Sequence, residues 1–407
     1  MGSMYFVPNA WFVHLYLDGE YRGVYMLADE RESTEGRGNL KLDADPTVSE
    51  FMIELDGWLR LQEGRPVNTH WVDTNAGLFD IRYPRTSTWM NTPGNPHAMY
   101  AKKTINNVDA AIMIGEHTQI EAVIDIASFI DFYIVQELMA NLDVGWASVF
   151  YQIRGLDQYR RLHAGPLWDF DVSAGNVLRP EAEHYNPREI GSIASRNYWL
   201  RNLINTPWFR EKVRGRWLEI RDNEVVEMLN RIQYIALTFE EEFQRDLERW
   251  PDHGNHSWNS PTVRGLTTFM ENAEFLHWWL SERAEWMTEF LNSPVTPREA
   301  VVVGGTGSGN YKTGDTVEIT ANAPDQGYEF SHWEAEPTAQ VNFTNHRAPS
   351  TTFTMTTQEK TITAIFLPIG EEFIEYTTTF SGEIVASLLV LSVSAVALAS
   401  KKKRSSW

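Results

Sequence analysis

The sequence predicts an α+β protein: a mixed domain ending in a helical bundle, a small β-rich domain and a C-terminal transmembrane helix. Three observations carry this. Apolar residues hold a helical period from about Asn197 to Asn292. After Ser293-Pro-Val-Thr-Pro297 the pattern turns to short strands separated by turns. The chain closes on an uncharged run, Ile384 to Ser400, followed by Lys401-Lys-Lys-Arg404.

Taken in order, the first clear helix runs through Lys102, Lys103, Ile105, Val108 and Ile112, where a lysine pair reads as a solvated face. A second spans Asp125 to Asn141, with Ile126, Phe129, Ile130, Tyr133, Ile134 and Leu138 at helical spacing and Asp125 as N-cap. Ser148 to Arg154 and Tyr159 to His163 read as two strands joined by a tight turn, ended by Gly165-Pro166. The bundle follows as Phe209 to Trp217, Val225 to Leu247 and Gly265 to Leu291, broken by the Pro/Gly/Asn/Ser-rich stretch from Trp250 to Pro261. Strands are expected at Val301-Val-Val303, Thr316 to Ala321, Tyr328 to Trp333, Thr351 to Met355 and Thr361 to Phe366.

Chemistry concentrates in two acidic segments, Asp143 with Ser148 five residues on, then Trp168-Asp169-Phe170-Asp171. In protein kinases a catalytic-loop Asp accepts the proton of the acceptor hydroxyl, a side chain five residues later helps to hold a second metal, and the Asp of an Asp-Phe-Gly turn binds magnesium. The order here is the same, with Ser148 in place of Asn and Asp171 in place of Gly. The helix delivers Asp143 just past its C-terminal end, and the hairpin folds Asp169 back beside it. Phosphoryl transfer asks mainly for charge neutralisation and an oriented hydroxyl, so a few carboxylates on rigid supports suffice. The alternative reading is two solvated loop aspartates, because Asp favours turns for local hydrogen-bonding reasons.

Gly165-Pro-Leu-Trp-Asp-Phe-Asp171 with Ala174-Gly-Asn176 resembles the signature of the CotH kinase family, the spore coat protein H group of atypical kinases. Three further stretches agree: Val13 to Leu27 with Glu30, Gln136 to Asp143, and Phe209 to Arg221 with Arg216-Trp217. The resemblance covers roughly Phe12 to Asn292 and implies an atypical protein-kinase-like domain over residues 1–293. It implies Asp143 as catalytic or acceptor-orienting residue, Asp169, Asp171 and Ser148 as metal contacts, and Glu30 as an organiser of the nucleotide pocket. ATP and Mg are the implied cofactors, and a surface or coat protein the implied substrate. Family members carry a segment ahead of the Gly23-Val-Tyr25 strand, including a phosphate-contacting lysine. This chain starts at Met1 almost on that strand and opens without a basic, apolar leader, so the expectation is a nucleotide lobe lacking its N-terminal part and impaired activity.

Gly309-Asn-Tyr311, Gly314-Asp315, Gly327-Tyr-Glu-Phe330 and Trp333 resemble the internalin B-type bacterial surface repeat, expected over residues 298–368. Gly304 to Gly309 lacks the spacing and the following Lys-Ser or Lys-Thr of a phosphate loop and reads as a β-turn. His253 and His256 lack a third ligand at zinc-site spacing and read as loop. Asn255-His-Ser257 and Asn342-Phe-Thr344 fit the glycosylation pattern. No Gly-x-Ser-x-Gly elbow and no cysteine exist, which removes two hydrolase routes. Sixteen tryptophans include Trp199, Trp208, Trp217, Trp278, Trp279 and Trp286 at helical spacing, read as core rather than as a sugar platform.

A net charge of -20 argues against nucleic-acid binding and suits solubility, cation binding or basic substrates. Residues 369–383 read as a polar stalk, 384–400 as a transmembrane anchor and 401–407 as a basic cytoplasmic tail, which places the rest at the cell surface. The expected function is a cell-surface kinase acting on Ser/Thr of a surface protein; the alternative is a non-catalytic surface adhesin or structural protein on the same scaffold.

Overall fold

The computed structural model describes residues 3–369 except 32–36, 59–69, 85–91, 93, 157–158, 177–185, 252–262, 264, 337–340, 342 and 357. The fold is mixed α+β with a β-rich C-terminal region. Residues 370–383, the apolar run 384–400 and the basic tail lie outside the described residues, as do His253, His256 and the acceptors Asn255 and Asn342. Among the described residues no helix is long and apolar enough to cross a membrane.

The chain opens with an antiparallel hairpin, β1 (Ala10–Leu17) and β2 (Glu20–Ala28), which forms a two-stranded sheet by itself. Next come β3 (Phe51–Leu55), β4 (Trp71–Thr74) and β5 (Gly77–Tyr83). Three helices follow, α1 (Pro96–Ile114), α2 (His117–Val123) and α3 (Ile126–Met139). The strands β6 (Val149–Arg154) and β7 (Arg161–Ala164) then complete an antiparallel sheet in the order β4-β5-β3-β6-β7.

Strand period decides the two faces of this sheet. Phe51, Ile53, Leu55, Phe79, Ile81, Tyr151, Ile153 and Leu162 join the main core with residues of α1, α3 and the later helices. The alternate positions Met52 and Phe150 join Leu40, with Tyr83 and Trp168 packed against them, in a separate cluster on the other face. That second face also carries buried charge: Glu54, Asp56 and Asp80 all bind the Arg82 guanidinium.

Several helices begin where the sequence supplies a cap. Asn95 accepts from the N–H groups of His97 and Ala98 at the start of α1, and Pro96 occupies its first position. Asp125 accepts from Ser128 N at 2.8 Å and opens α3, which is buried nearly all round. Then come α4 (Tyr198–Ile204), α5 (Pro207–Ile220), α6 (Val226–Thr238), α7 (Glu240–Arg249) and α8 (Phe269–Asn292). A capping box between Thr268 and Glu271 starts α8. Trp199, Trp217 and Trp279 are fully buried in this bundle, whereas Trp278 is exposed, so most of the helical tryptophans are core.

A buried ion pair ties α3 to α8. Arg283 binds the Glu137 carboxylate, and its Nε donates to the Glu137 carbonyl at 3.0 Å. The same carboxylate accepts from Tyr133 OH at 2.9 Å, Ser192 Oγ at 2.6 Å and Ile193 N at 2.8 Å. Every lone pair thus meets a donor, the condition under which a buried charge is tolerated.

The β-rich region holds β8 (Arg298–Val303), β9 (Gly305–Thr306), β10 (Gly309–Tyr311), β11 (Thr316–Ala321), β12 (Tyr328–Glu336), β13 (Ser350–Thr354) and β14 (Lys360–Pro368). They form two sheets, ordered β10-β8-β14-β12 and β13-β11-β9. Gly304 and Gly307 adopt left-handed backbone between short strands, so this glycine run is turn and strand. By compactness the described residues up to 323 with 332–365 form one unit, and 324–331 with 366–369 another. In the latter, Phe330 and Phe366 meet edge to face at 6.0 Å and Ile369 donates its N–H to Gly327 O at 3.0 Å.

Candidate active site

At the end of α3, Ala140 takes a left-handed backbone (φ 44°) that stops the helix. Asn141 then caps a short turn, Leu142–Gly145, by accepting from Asp143 N at 3.1 Å. The Asp143 carbonyl accepts from Trp146 N at 2.8 Å and Ala147 N at 2.9 Å, which fixes the aspartate on a closed loop. Gly145 is required there, because a Cβ would stand 2.5 Å from the Arg196 carbonyl oxygen.

The hairpin β6–β7 returns the chain to the same place. Leu142 N donates to Val172 O at 3.2 Å and Ala174 N to Met139 O at 2.6 Å, stitching the two acidic turns together. Ser148 Oγ donates to Asp169 Oδ2 at 2.9 Å, and Asn141 Nδ2 reaches Asp169 O at 3.4 Å. Ser148 (φ 57°), Asp169 (φ 60°) and Ala174 (φ 47°) share the left-handed backbone of Ala140. Such residues persist only where the surroundings enforce them.

The outcome is a cluster in which one oxygen from each of Asp143, Asp169 and Asp171 lies within 4.8 Å of the others. Asp143 is half-buried, while Asp169 and Asp171 are exposed. Burial, then the charges of Asp169 and Asp171, raise the Asp143 pKa above the ordinary carboxylate value. Burial and the neighbouring Asp169 raise that of Asp171. Among the described residues no ion pair reaches these three carboxylates. The set therefore suits a hard divalent cation: oxygens across an octahedral Mg²⁺ stand about 4.2 Å apart, and bound positive charge would relieve the repulsion.

The structure thus brings together Asp143, Asp169, Asp171 and Ser148. Glu30 is exposed just beyond β2 and does not belong to the cluster. Lys102 and Lys103 sit in α1, which packs on α2, α4 and β4. Arg216 binds Asp131 at 3.0 Å, and buried Trp217 donates to Thr288 Oγ1 at 2.9 Å, so that pair is structural.

Two groups near the site escaped the sequence reading. Arg31 lays its guanidinium 4.8 Å from the Trp168 ring centroid and 5.0 Å from that of Phe150. Asn141 both caps the Leu142–Gly145 turn and contacts the Asp169 backbone. The sequence signals for polar chemistry on this sheet face are Glu54 inside the apolar run of β3 and Asp80 with Arg82 inside that of β5. Burial raises the Glu54 pKa, and Arg82 opposes that rise.

Comparison with curated proteins finds no match. The family model described as CotH kinase protein matches residues 2–287, and that described as divergent InlB B-repeat domain matches residues 295–370. Both resemblances read from the sequence are borne out. With well over half of its length matched, the chain belongs to the CotH kinase family and continues into a divergent InlB B-repeat.

Proposed function

We propose that this chain is a cell-surface CotH-like atypical protein kinase that transfers phosphate from ATP to Ser or Thr hydroxyls of a surface protein. The observation that carries the reading is the convergence of Asp143, Asp169 and Asp171 within 4.8 Å, with Ser148 bonded to Asp169. Asp169 and Asp171 are the residues that hold magnesium, and Ser148 fixes the Asp169 carboxylate. Magnesium, when bound, neutralises charge on the phosphates. Asp143 orients the acceptor hydroxyl and takes its proton, a task for which a raised pKa suits a carboxylate. The kinase-like fold belongs to this proposal, as does the cell-surface placement, which rests on the apolar run 384–400 and its basic flank.

The test is transfer of the γ-phosphate from ATP to a protein acceptor by the full chain with magnesium present. The expected result is transfer by the wild type and a loss of at least a hundredfold in Asp143→Ala, the lower range of general-base contributions being about 10². A well-folded wild type that transfers nothing to any acceptor, or an Asp143→Ala chain as active as wild type, contradicts the proposal.

A further inference from the structure

Where the helical bundle passes into the β-rich region, a surface cavity of about 360 Å³ is lined by Arg210, Glu211 and Arg214 of α5, Leu291 of α8, Val295 between α8 and β8, and Lys312 of the turn between β10 and β11. The three α5 residues face it together because positions three and four apart share one side of a helix. The same two parts of the chain also meet where Gln358 Nε2 donates to Tyr198 OH at 2.7 Å. The volume falls within the range of pockets that hold small ligands, about 300–1,000 Å³.

Charge in this cavity runs against that of the chain. Among the described lining residues the ionic ones are Arg210, Glu211, Arg214 and Lys312, three cations against one carboxylate, in a protein of net charge -20. Arg214 and Glu211 neutralise each other through two hydrogen bonds, at 2.9 and 2.7 Å. The surplus therefore sits on Arg210 and Lys312. Arg210 is only 7% exposed: its guanidinium donates to the Phe290 carbonyl and lies 4.2 Å from the centroid of the Phe290 ring, while its Nε has no hydrogen-bond partner among the described residues. A buried donor on a fixed cation is costly until something accepts from it. Lys312 is exposed on its turn, where Asp315, outside the cavity lining, accepts from its backbone N–H at 2.7 Å.

We infer that this cavity binds a phosphate dianion, free or as the monoester of a small molecule, with Arg210 and Lys312 as its cationic ligands. A phosphate monoester carries about -1.5 to -2 charges at neutral pH, which matches the surplus, and its oxygens accept from a guanidinium and an ammonium at once. A carboxylate brings a single charge and leaves the other cation uncompensated. Held by a helix of the bundle on one side and a turn of the β-rich region on the other, the anion clasps the two parts. None of Asp143, Asp169 and Asp171 lines the cavity, so the inference is independent of the phosphotransfer reading.

Binding is read from the phosphorus NMR line width of inorganic phosphate, and in a parallel titration of glycerol phosphate, as the full chain is added in magnesium-free buffer, where the three site carboxylates repel phosphate. The wild type is expected to broaden the line saturably. Arg210→Met and Lys312→Met each remove a charge-assisted contact and are expected to weaken binding about tenfold, whereas Lys103→Met, at an exposed position of α1, leaves it unchanged. Because Arg210 also holds the Phe290 carbonyl, Lys312→Met decides: it alters an exposed side chain, and its thermal midpoint without phosphate should equal that of wild type. Acetate is expected to compete more weakly than phosphate. Binding of both phosphate compounds points to an ester ligand, and of inorganic phosphate alone to the free anion; either supports the site. No saturable broadening, full affinity in Lys312→Met, an equal loss in Lys103→Met, or acetate competing as well as phosphate overturns the inference.

Discussion

Asp143 is worth following as a single titrating group. Its folded pKa is raised by burial and by Asp169 and Asp171, so the folded chain holds that proton more tightly than the unfolded one. Stability from this source is present below the ordinary carboxylate pKa and is lost as pH rises through the raised folded value. At neutral pH the metal-free chain therefore carries a repulsion that Asp143→Asn removes. We predict a thermal midpoint higher by about 2 °C for that variant, a gain that vanishes as pH falls through the range just above the ordinary carboxylate value. Magnesium should raise the midpoint of wild type more than that of the variant, since a ligand stabilises only the form it binds. Scanning calorimetry with and without magnesium checks both. Asp143, Ser148, Asp169 and Asp171 could be picked out because they sit at fixed offsets around a helix end and a hairpin. Arg31 could not, because its partners Phe150 and Trp168 are more than a hundred residues away in sequence and no local pattern records a guanidinium over a ring.

Among the elements, α3 and the turn after it set the position of Asp143. Glu137 sits in the last turn of α3 and is pinned by Arg283 of α8, both fully buried. Removing one partner strands the other, at a cost of about 3–5 kcal/mol. Arg283→Met is therefore expected to lower stability by that order, and Glu137→Gln in the Arg283→Met background to restore part of it; urea titration monitored by near-UV dichroism reads both. Gly145→Ala should displace the Leu142–Gly145 turn from the Arg196 carbonyl, whereas Gly19→Ala, which meets nothing within 4 Å, leaves the site unmoved. Magnesium affinity by calorimetry separates the two. In the β-rich region, burial lowers the Lys360 pKa to about 8 from the usual 10.5. The unfolded chain binds more protons between those values, so stability rises with pH across that window. Lys360→Met should lack the rise in a pH series of denaturant midpoints. Helices, the β6–β7 hairpin and the C-terminal strands were legible from period and turn residues. The join of β3 between β5 and β6 was not, since strand order in an antiparallel sheet follows from long-range packing that local period leaves open.

At the scale of the molecule, charge and site agree. A net charge of -20 leaves the chain repelling itself, and the three carboxylates of the candidate site are a concentrated example among the described residues. Screening by salt weakens the diffuse repulsion over a Debye length of about 10 Å at 0.1 M, whereas magnesium acts at the cluster itself. The family match over residues 2–287 spans both acidic turns, on which the proposed phosphotransfer rests. The most direct measurement is calorimetry of ATP binding in the presence of magnesium, comparing wild type with Asp169→Ala. The account predicts binding by the wild type and at least a tenfold loss in the variant. A folded wild type that takes up no ATP, or an Asp169→Ala chain that binds it equally well, would contradict the assignment of the metal and nucleotide to these carboxylates.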